Sequence, residues 1–280
     1  MILFKQAEKI SDYLVQQKKF GKKIGFVPTM GALHDGHLSL IKASKEINDL
    51  TVCSIFINPT QFNNQEDFRN YPVTIDTDIE KLLTSGCDIL FLPSQEQIYS
   101  SGYMARHYEL GELETVLEGF YRPGHFQGVC QVVDRLLDVT QPDNLYLGAK
   151  DYQQCKVIAR LLELTGKGNQ IKLNIEPTLR ENDGLAMSSR NLRLSPEQRQ
   201  AATAIYEALL YIKKNSTDQS ITEAQNEAAA MLVSRGFKPD YVQIADADTL
   251  LPANGTTKRK IALIAAFIGD IRLIDNLLLN

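Results

Sequence analysis

The chain has 280 residues, of which 44% are hydrophobic and 23% are charged, and its formal net charge is −4 at pH 7. This composition is typical of a globular protein of one large domain or two modest ones. The acidic balance argues against a nucleic-acid partner, because binding to a phosphate backbone usually needs a clustered positive face. No segment approaches the roughly 20 apolar residues of a membrane helix, and the N-terminal apolar run is too short for a signal peptide.

Strand and helix patterns alternate through the first part of the chain. Helices are predicted at 8–19, from Asp35 onward, along an apolar face from Val129 to Leu137, and around Ile158 up to Gly166. β-Branched and apolar runs predict strands at 24–27, 50–58, 87–92, 144–147 and 171–175. The β-α-β-α-β order indicates an α/β fold with a Rossmann-like parallel sheet and right-handed crossovers. Ligands of such sheets bind at the carboxyl ends of the strands.

One further helix is predicted between the second and third strands. Thr77, Asp78, Ile79 and Glu80 have the spacing of a capping box, which predicts a helix that begins there and ends at Gly86.

The character of the chain changes after about Asn191. A capping box at 195–198 opens a helix with an apolar stripe along 201–212, and Ser220 is a predicted cap for another helix. Runs at 241–245, 261–268 and 271–275 predict strands, the last two joined by a tight hairpin at Gly269. We therefore predict two domains, 1–178 and 179–280, the second a smaller α+β unit with an antiparallel sheet.

The four cysteines are scattered, without a C-x-x-C pair, at Cys53, Cys87, Cys130 and Cys155. Each lies in an apolar pattern, so we expect reduced thiols in the core of a cytoplasmic protein.

Residues 28–37 read Pro-Thr-Met-Gly-Ala-Leu-His-Asp-Gly-His and join the first strand to a helix. The first turn of a helix has unpaired N–H groups and a dipole that favours anions, and Gly31 and Gly36 allow a ligand close to the backbone. His34 and His37 can point at the same anion. The segment is neither a Walker loop nor a G-x-G-x-x-G motif. A metal pair or two ordinary surface histidines are the alternatives, but a zinc site would need a third ligand at suitable spacing.

Residues 183–191 read Asp-Gly-Leu-Ala-Met-Ser-Ser-Arg-Asn. The hydroxyls of Ser188 and Ser189 and the guanidinium of Arg190 suit phosphate oxygens, although a polar loop between domains would have a similar composition. This segment resembles the KMSKS loop, and residues 34–37 resemble the HIGH signature, of the nucleotidyltransferase superfamily.

Three more stretches narrow this resemblance. Residues 56–62, 122–129 and 148–154 lie between the two signatures, and Arg180 precedes the second one. Together these motifs resemble the pantothenate synthetase (pantoate–β-alanine ligase) family over almost the whole chain. Ala149 departs from the pattern, because the family often has an acidic residue there.

The resemblance implies an ATP-dependent ligase of coenzyme A biosynthesis that forms a pantoyl adenylate and then joins it to β-alanine. Domain 1–178 would bind nucleotide and pantoate. His37 would assist as a proton donor, and the catalytic set would also include His34, Lys150, Ser188, Ser189 and Arg190. Pantoate would contact Gln61 and Gln154, and Gln61 would also serve β-alanine. The implied ATP-binding residues are Met30, Gly31, Ala32, Leu33, His34, Asp35, Gly36, His37, Gly148, Ala149, Lys150, Asp151, Leu179, Met187, Ser188, Ser189 and Arg190.

Mg²⁺ is expected to arrive with ATP, held mainly by phosphate oxygens and water, with Asp78 as a candidate outer ligand. The family also suggests a homodimer. Two other readings remain: a nucleotidyltransferase that releases only pyrophosphate, and an inactive member that serves as a binding module. A tRNA-charging enzyme is disfavoured by the acidic balance and by the lack of an anticodon-binding extension.

Overall fold

The computed structural model describes residues 1–217 and 220–280. Within these ranges the strands are β1 (Ile2–Phe4), β2 (Ile24–Thr29), β3 (Leu50–Ile55), β4 (Ile89–Phe91), β5 (Asn144–Gly148), β6 (Lys172–Glu176), β7 (Lys238–Asp246), β8 (Lys260–Ile268) and β9 (Ile271–Leu278). The α-helices there are α1 (Ala7–Lys19), α2 (Asp35–Ile47), α3 (Gln65–Arg69), α4 (Ile75–Thr84), α5 (Gln95–Ile98), α6 (Glu118–Tyr121), α7 (His125–Thr140), α8 (Tyr152–Leu164), α9 (Pro196–Ala201), α10 (Ala204–Asn215) and α11 (Ile221–Ser234).

The first six strands form a parallel sheet in the order β1-β4-β3-β2-β5-β6, which confirms the predicted α/β architecture. The five predicted strands are present, with ends that differ by a few residues. β1 was not predicted, because three residues are too few to show a periodic pattern. It pairs with β4 at the sheet edge, with Ile2 opposite Ile89.

The centre of the parallel sheet is apolar on both faces. Phe26 and Val52 pack with α7 on one face, whereas Val27 and Ile55 pack near α2 and α4 on the other. The four cysteines are free and buried, as predicted. The chain places β3 and β4 on one side of β2, and β5 and β6 on the other. The strand order therefore reverses between β2 and β5, which opens a crevice at the carboxyl ends of these strands.

Two helix predictions in this chain need correction. The helix predicted to begin with a capping box at Thr77 instead begins at Ile75, and Asp78 is fully buried in its first turn. The apolar stripe over 201–212 belongs to two helices, α9 and α10, which are separated at residues 202–203. Periodicity did not reveal this break, since both helices turn apolar residues toward the same core.

The predicted capping box at the start of α9 is confirmed. Ser195 Oγ accepts a hydrogen bond from Gln198 N at 3.2 Å, and Gln198 Oε1 accepts one from Ser195 N at 2.9 Å. Ser220 does occupy the residue before α11, but its hydroxyl donates to Asn215 O and does not cap the helix.

The C-terminal strands form an antiparallel sheet in the order β7-β8-β9, covered by α10 and α11. The predicted hairpin is confirmed, because Ile268 pairs with Ile271 across Gly269 and Asp270. A smaller apolar cluster joins Leu117 to Ala245 and Leu263 and so connects the two halves of the chain. The division at residue 178 stays a prediction.

Candidate active site

A cavity of about 230 Å³ lies at the carboxyl ends of β2 and β5. Both sequence signatures line this cavity. They also contact each other, because Ser189 Oγ donates a hydrogen bond of 2.9 Å to the carbonyl of Ala32. The expected residues that line this cavity are Met30, His34, Gly36, His37, Gln61, Gly148, Lys150, Asp151, Gln154, Leu179, Met187, Ser188, Ser189 and Arg190. Gly31, Ala32, Leu33, Asp35 and Ala149 are not among the residues that line it.

The turn from Gly31 to Leu33 carries the first signature in an unusual backbone conformation. Gly31 has φ +85° and Ala32 has φ +48°, a region that costs a residue with a Cβ about 1–2 kcal/mol. A Cβ on Gly31 would lie 3.0 Å from Ile55 Cγ2 and 3.1 Å from Asp78 Oδ2. Position 31 therefore favours glycine both for its backbone angles and for the space around it.

Asp78 holds this turn in place. Its carboxylate accepts hydrogen bonds from Ala32 N at 2.9 Å and Leu33 N at 2.8 Å, and from the hydroxyl of Thr74 at 3.1 Å. Lys81, one turn later on α4, donates to the carbonyl of Leu33 at 2.5 Å. Three hydrogen bonds from one helix thus fix the turn that leads into His34.

The surroundings of Asp78 do not favour the magnesium role expected from the sequence. Its side chain is fully buried, and both oxygens already accept hydrogen bonds from protein groups. A Mg²⁺ ligand needs an oxygen that faces the ion. Throughout residues 1–217 and 220–280, the His, Cys, Asp and Glu side chains form no cluster of three or more able to bind a metal.

His34 and His37 stack at the beginning of α2 with ring centroids 4.0 Å apart. His34 N donates to His37 Nδ1 at 3.4 Å, and since a backbone N–H can only donate, the proton of neutral His37 lies on Nε2. In the described part of the chain, His34 Nδ1 is buried without a hydrogen-bond partner. A Cβ on Gly36 would lie 2.9 Å from the His34 ring, so glycine there lets the ring fold over the helix start.

Both histidines are neutral near pH 7. Burial lowers the pKa of His37 to about 4, with Asp151 opposing the shift and Lys150 reinforcing it. Burial and the nearby His37 and Lys150 lower the pKa of His34 to about 2. At neutral pH the pair therefore offers hydrogen-bonding nitrogens rather than fixed positive charge.

Lys150 supplies a cation to the same cavity. It lies in the short helical turn that follows β5, and its ammonium is 3.7 Å from the Asp151 carboxylate. The side-chain amide of Asn276 donates to the carbonyls of Ala149 and Lys150 at 2.9 and 2.8 Å. Strand β9 thus holds this turn against the sheet.

The second signature loop closes the cavity. Leu179 and Met187 lie side by side, joined by a 3.1 Å hydrogen bond from Met187 N to the Leu179 carbonyl. Ser188 Oγ accepts from Arg190 N at 3.3 Å. The Arg190 guanidinium makes two hydrogen bonds to the carboxylate of Asp67, at 2.7 and 3.3 Å.

Gln61 and Gln154 line the same cavity. Gln61 Nε2 lies 2.8 Å from Met30 Sδ. The backbone carbonyl of Gln61 accepts a 2.7 Å hydrogen bond from His125 Nδ1. The neighbouring Gln153 is buried and binds the backbone of residues 113–118. Of this adjacent pair, Gln154 is therefore the residue whose amide remains available to a ligand.

Sequence reasoning missed three supporting residues: Asp67, Asn276 and Asp275. Asp67 binds Arg190 and Arg193, and nothing in its short polar segment signals this role. Asp275 makes a two-pronged ion pair with Arg180, at 2.5 and 3.0 Å. Asp275 and Asn276 are two adjacent polar residues in a largely apolar strand, and that irregularity was the available signal.

None of the described helices has the length and apolar character that a membrane crossing requires.

The chain matches known proteins along nearly its whole length. A family model described as pantoate-beta-alanine ligase matches residues 2–278.

Two curated relatives named pantothenate synthetase are similar to the chain. The protein from Fervidobacterium nodosum is 42% identical over 266 residues, covering 93% of this chain and 92% of that protein. The protein from Sulfurihydrogenibium sp. is 44% identical over 271 residues, covering 94% and 95%.

Solved structures agree with this similarity. A pantothenate synthetase from Thermus thermophilus superposes with a TM-score of 0.92 at 38% identity, covering 100% of this chain and 99% of that one. A pantoate-beta-alanine ligase from Francisella tularensis, complexed with beta-gamma ATP and beta-alanine, gives 0.84 at 40% identity, covering 100% and 98%. The chain belongs to the pantoate–β-alanine ligase family.

Proposed function

We propose that the protein catalyses the ATP-dependent condensation of pantoate with β-alanine. The reaction would pass through a pantoyl-adenylate intermediate and release AMP and pyrophosphate. The observation that carries the proposal is the junction of the two signatures, where Ser189 of the second is hydrogen-bonded to Ala32 of the first. This junction brings the histidine pair, Lys150 and Ser188 to one cavity. The Francisella tularensis relative, complexed with beta-gamma ATP and beta-alanine, supports the same substrates here.

In the first step, the carboxylate of pantoate attacks the α-phosphorus of ATP in line, and the bond to the β-phosphate oxygen breaks. Such a step needs positioning and positive electrostatic potential more than covalent help from the protein. The adenine would lie beside Leu179 and Met187, and the turn at Gly148–Asp151 would hold the ribose and phosphates. The N-terminus of α2 favours the anionic phosphates.

His37 would donate a hydrogen bond from Nε2 to an α-phosphate oxygen. Its low pKa favours this neutral donor over an imidazolium that transfers a proton. His34 lines the same cavity and would give the phosphates a second contact. A bound triphosphate would raise the pKa of both rings, because an anion stabilises the protonated form.

The β- and γ-phosphates would contact Lys150, Ser188 and Arg190. Lys150 has a 3.7 Å contact with Asp151, which leaves its ammonium available to an anion. Arg190 shares its charge with Asp67, so its contribution depends on how that ion pair responds to the nucleotide. Ser189 can still accept a hydrogen bond, but its proton is committed to the Ala32 carbonyl.

Pantoate would lie beside Gln61 and Gln154, in a cavity that Phe126 and Val129 also line. Amide groups bind the hydroxyls and carboxylate of pantoate without a full positive charge, which would weaken the nucleophile. The backbone of Gln61 is fixed by His125, so its side chain is presented from a rigid position.

In the second step, the uncharged amine of β-alanine attacks the acyl carbon of the adenylate. The C–N bond forms, the bond between the acyl carbon and the phosphate oxygen breaks, and AMP leaves with the electron pair. The amine loses one proton to solvent or to the departing phosphate. Gln61 is the residue that we assign to both pantoate and β-alanine.

We propose that Mg²⁺ binds mainly to the phosphate oxygens and water, where it neutralises charge on the triphosphate. Because both oxygens of Asp78 accept hydrogen bonds from protein groups, we do not include this residue among the magnesium ligands. We also propose a homodimer, as the family resemblance implies. Phe120 is 65% exposed in the single chain, and a partner subunit could cover such an apolar side chain.

Four free buried thiols are compatible with a reducing cytoplasm. The net charge of −4 does not favour nucleic acid.

A product assay with ATP, pantoate and β-alanine tests the function. We expect equal amounts of pantothenate, AMP and pyrophosphate, and pantoate alone should support ATP–pyrophosphate exchange. His37→Ala should lower the adenylation rate by about two to four orders of magnitude. His107→Ala is the matched control, because that histidine is exposed and outside the cavity.

Two results would reject the proposal. Exchange that depends on another carboxylic acid and not on pantoate would mean a different substrate. Release of pyrophosphate without AMP, in the presence of both pantoate and β-alanine, would indicate a nucleotidyltransferase.

A further inference from the structure

Arg122 lies between α6 and α7, at the place where the candidate active-site cavity meets a second cavity of about 240 Å³. Its side chain is 17% exposed and lines both spaces. Lys150 and Ser188, which we assign to the phosphates, also line both. A ligand that extends from the reacting centre into the second cavity would therefore pass the Arg122 guanidinium.

The protein neutralises this guanidinium poorly. Its contact with the Glu118 carboxylate is 3.5 Å long, and its Nε lies 3.5 Å from the side-chain oxygen of Asn63. Glu118 is already engaged: Arg272 donates to both of its oxygens at 2.7 and 2.8 Å, and the hydroxyl of Tyr241 donates at 2.8 Å. One carboxylate is thus shared by two arginines, and Arg272 has the shorter bonds.

The other arginines beside these cavities are better paired. Arg190 is 2.7 Å from the Asp67 carboxylate, and Arg272 makes a further 2.8 Å contact with Asp240. Burial lowers the pKa of Arg122, whereas ion pairs raise the pKa of Arg190 and of Arg272 in spite of their burial. A buried cation with long contacts and several unused N–H donors is a site for an anion.

We propose that Arg122 binds an anionic group of the reactants at the junction of the two cavities, either the carboxylate of the β-amino acid or a phosphate group of pyrophosphate. The proposal rests on the ligase activity proposed above. A guanidinium presents a planar fork that matches the two oxygens of either group. The residue is also coupled to the acyl site, because His125, three residues later, fixes the backbone of Gln61.

The position suits both anions for a physical reason. β-Alanine must place its amine at the acyl carbon while its carboxylate stays a few bonds away, and pyrophosphate must depart from the phosphate side of the same centre. Arg122 lines the cavity that contains Gln61 and also the cavity that continues past Lys150 and Arg190.

The test uses Arg122→Gln in the full-length enzyme, with Arg135→Gln as the matched control. Arg135 lies on the next helix, contacts Asp138 at 3.6 Å and the carbonyl of Ile98 at 3.2 Å, and lines neither cavity. The KM for β-alanine is measured in the overall reaction, and the KM for pyrophosphate is measured in pantoate-dependent exchange. We expect Arg122→Gln to raise one of these KM values by at least about tenfold, since a charge-assisted hydrogen bond contributes about 1.5–3 kcal/mol. The KM for pantoate should stay within about twofold.

The two measurements distinguish the sources of the anion. A higher KM for β-alanine alone identifies the carboxylate, and a higher KM for pyrophosphate alone identifies the phosphate. If both KM values match those of Arg135→Gln, the proposal is wrong.

Arg122→Lys provides a second variant that keeps the buried charge and loses the fork. If Arg122→Gln does not fold, Arg122→Lys decides, and an unchanged KM for both ligands overturns the proposal. Wild-type enzyme that makes no pantothenate would instead reject the proposed function, so the two failures are distinguishable.

Discussion

The substitution Asp78→Asn tests whether α4 positions the catalytic turn. The carboxylate of Asp78 accepts the N–H groups of Ala32 and Leu33 in a fully buried setting. An asparagine has one acceptor oxygen, so its amide NH₂ would face one of these two N–H groups. One backbone donor would then be buried without a partner.

The expected cost follows from these contacts. A hydrogen bond to a charged group contributes about 1.5–3 kcal/mol, and an unsatisfied buried donor costs about 1–3 kcal/mol. We therefore expect Asp78→Asn to lower the free energy of unfolding by about 2–4 kcal/mol. For a chain of this size, a loss of about 3 kcal/mol corresponds to a fall in Tm of about 6–12 °C. Displacement of the turn by about 1 Å would also slow adenylation by on the order of a hundredfold.

Thermal unfolding and pantoate-dependent ATP–pyrophosphate exchange measure the two effects. Asp76→Asn is the matched control, because Asp76 lies in the first turn of the same helix and is exposed. It should lose only a few tenths of a kcal/mol of helix-dipole stabilisation. Equal Tm and equal exchange rates for Asp78→Asn and Asp76→Asn would refute the positioning role.

Three further outcomes are expected. Burial lowers the pKa of His125 to about 3, below its value near 6.5 in the unfolded chain. The contribution of neutral His125 to the stability of the folded protein is therefore complete above pH 6.5 and is lost as the pH falls toward 3. The free energy of unfolding, measured by urea titration at several pH values between about 6.5 and 4, should therefore rise with pH less steeply in His125→Gln than in wild type. We expect the two slopes to differ by about 1.4 kcal/mol per pH unit, and identical slopes would contradict the burial argument. Gln61→Ala should raise the KM for pantoate and β-alanine and leave ATP affinity nearly unchanged, as measured by kinetics and calorimetry; a selective loss of ATP binding would contradict this assignment. Ser189→Ala, which removes the hydrogen bond to Ala32, should lower the free energy of unfolding by about 1–2 kcal/mol in urea titrations, and an unchanged midpoint would mean that the junction contributes nothing.

Patterns within single segments predicted most of the fold. The buried strands of the parallel sheet and the capping box at Ser195 follow from local composition, and the structure confirms both. β1 is short and lies at the edge, so its three residues had no periodicity to detect. The break between α9 and α10 was also invisible, because both helices share one apolar core.

The candidate site divides in the same way. Residues that would touch the substrates lie in short motifs, and the structure brings His34, Lys150 and Ser188 to one cavity. The residues that hold them come from distant segments: Asp78 binds the turn before α2, and Asn276 binds the turn after β5. Such contacts depend on tertiary structure, and an acidic residue near a helix start is normally only a dipole partner. The role of Asp78 in holding this turn was therefore not apparent from the sequence.

A crystal structure with pantoate and a non-hydrolysable ATP analogue tests the central claim most directly. We predict a single triphosphate between the two signatures, with its α-phosphate within hydrogen-bonding distance of His37 Nε2 and its outer phosphates against Lys150 and Ser188. A triphosphate that contacts only one of these two segments would contradict the account.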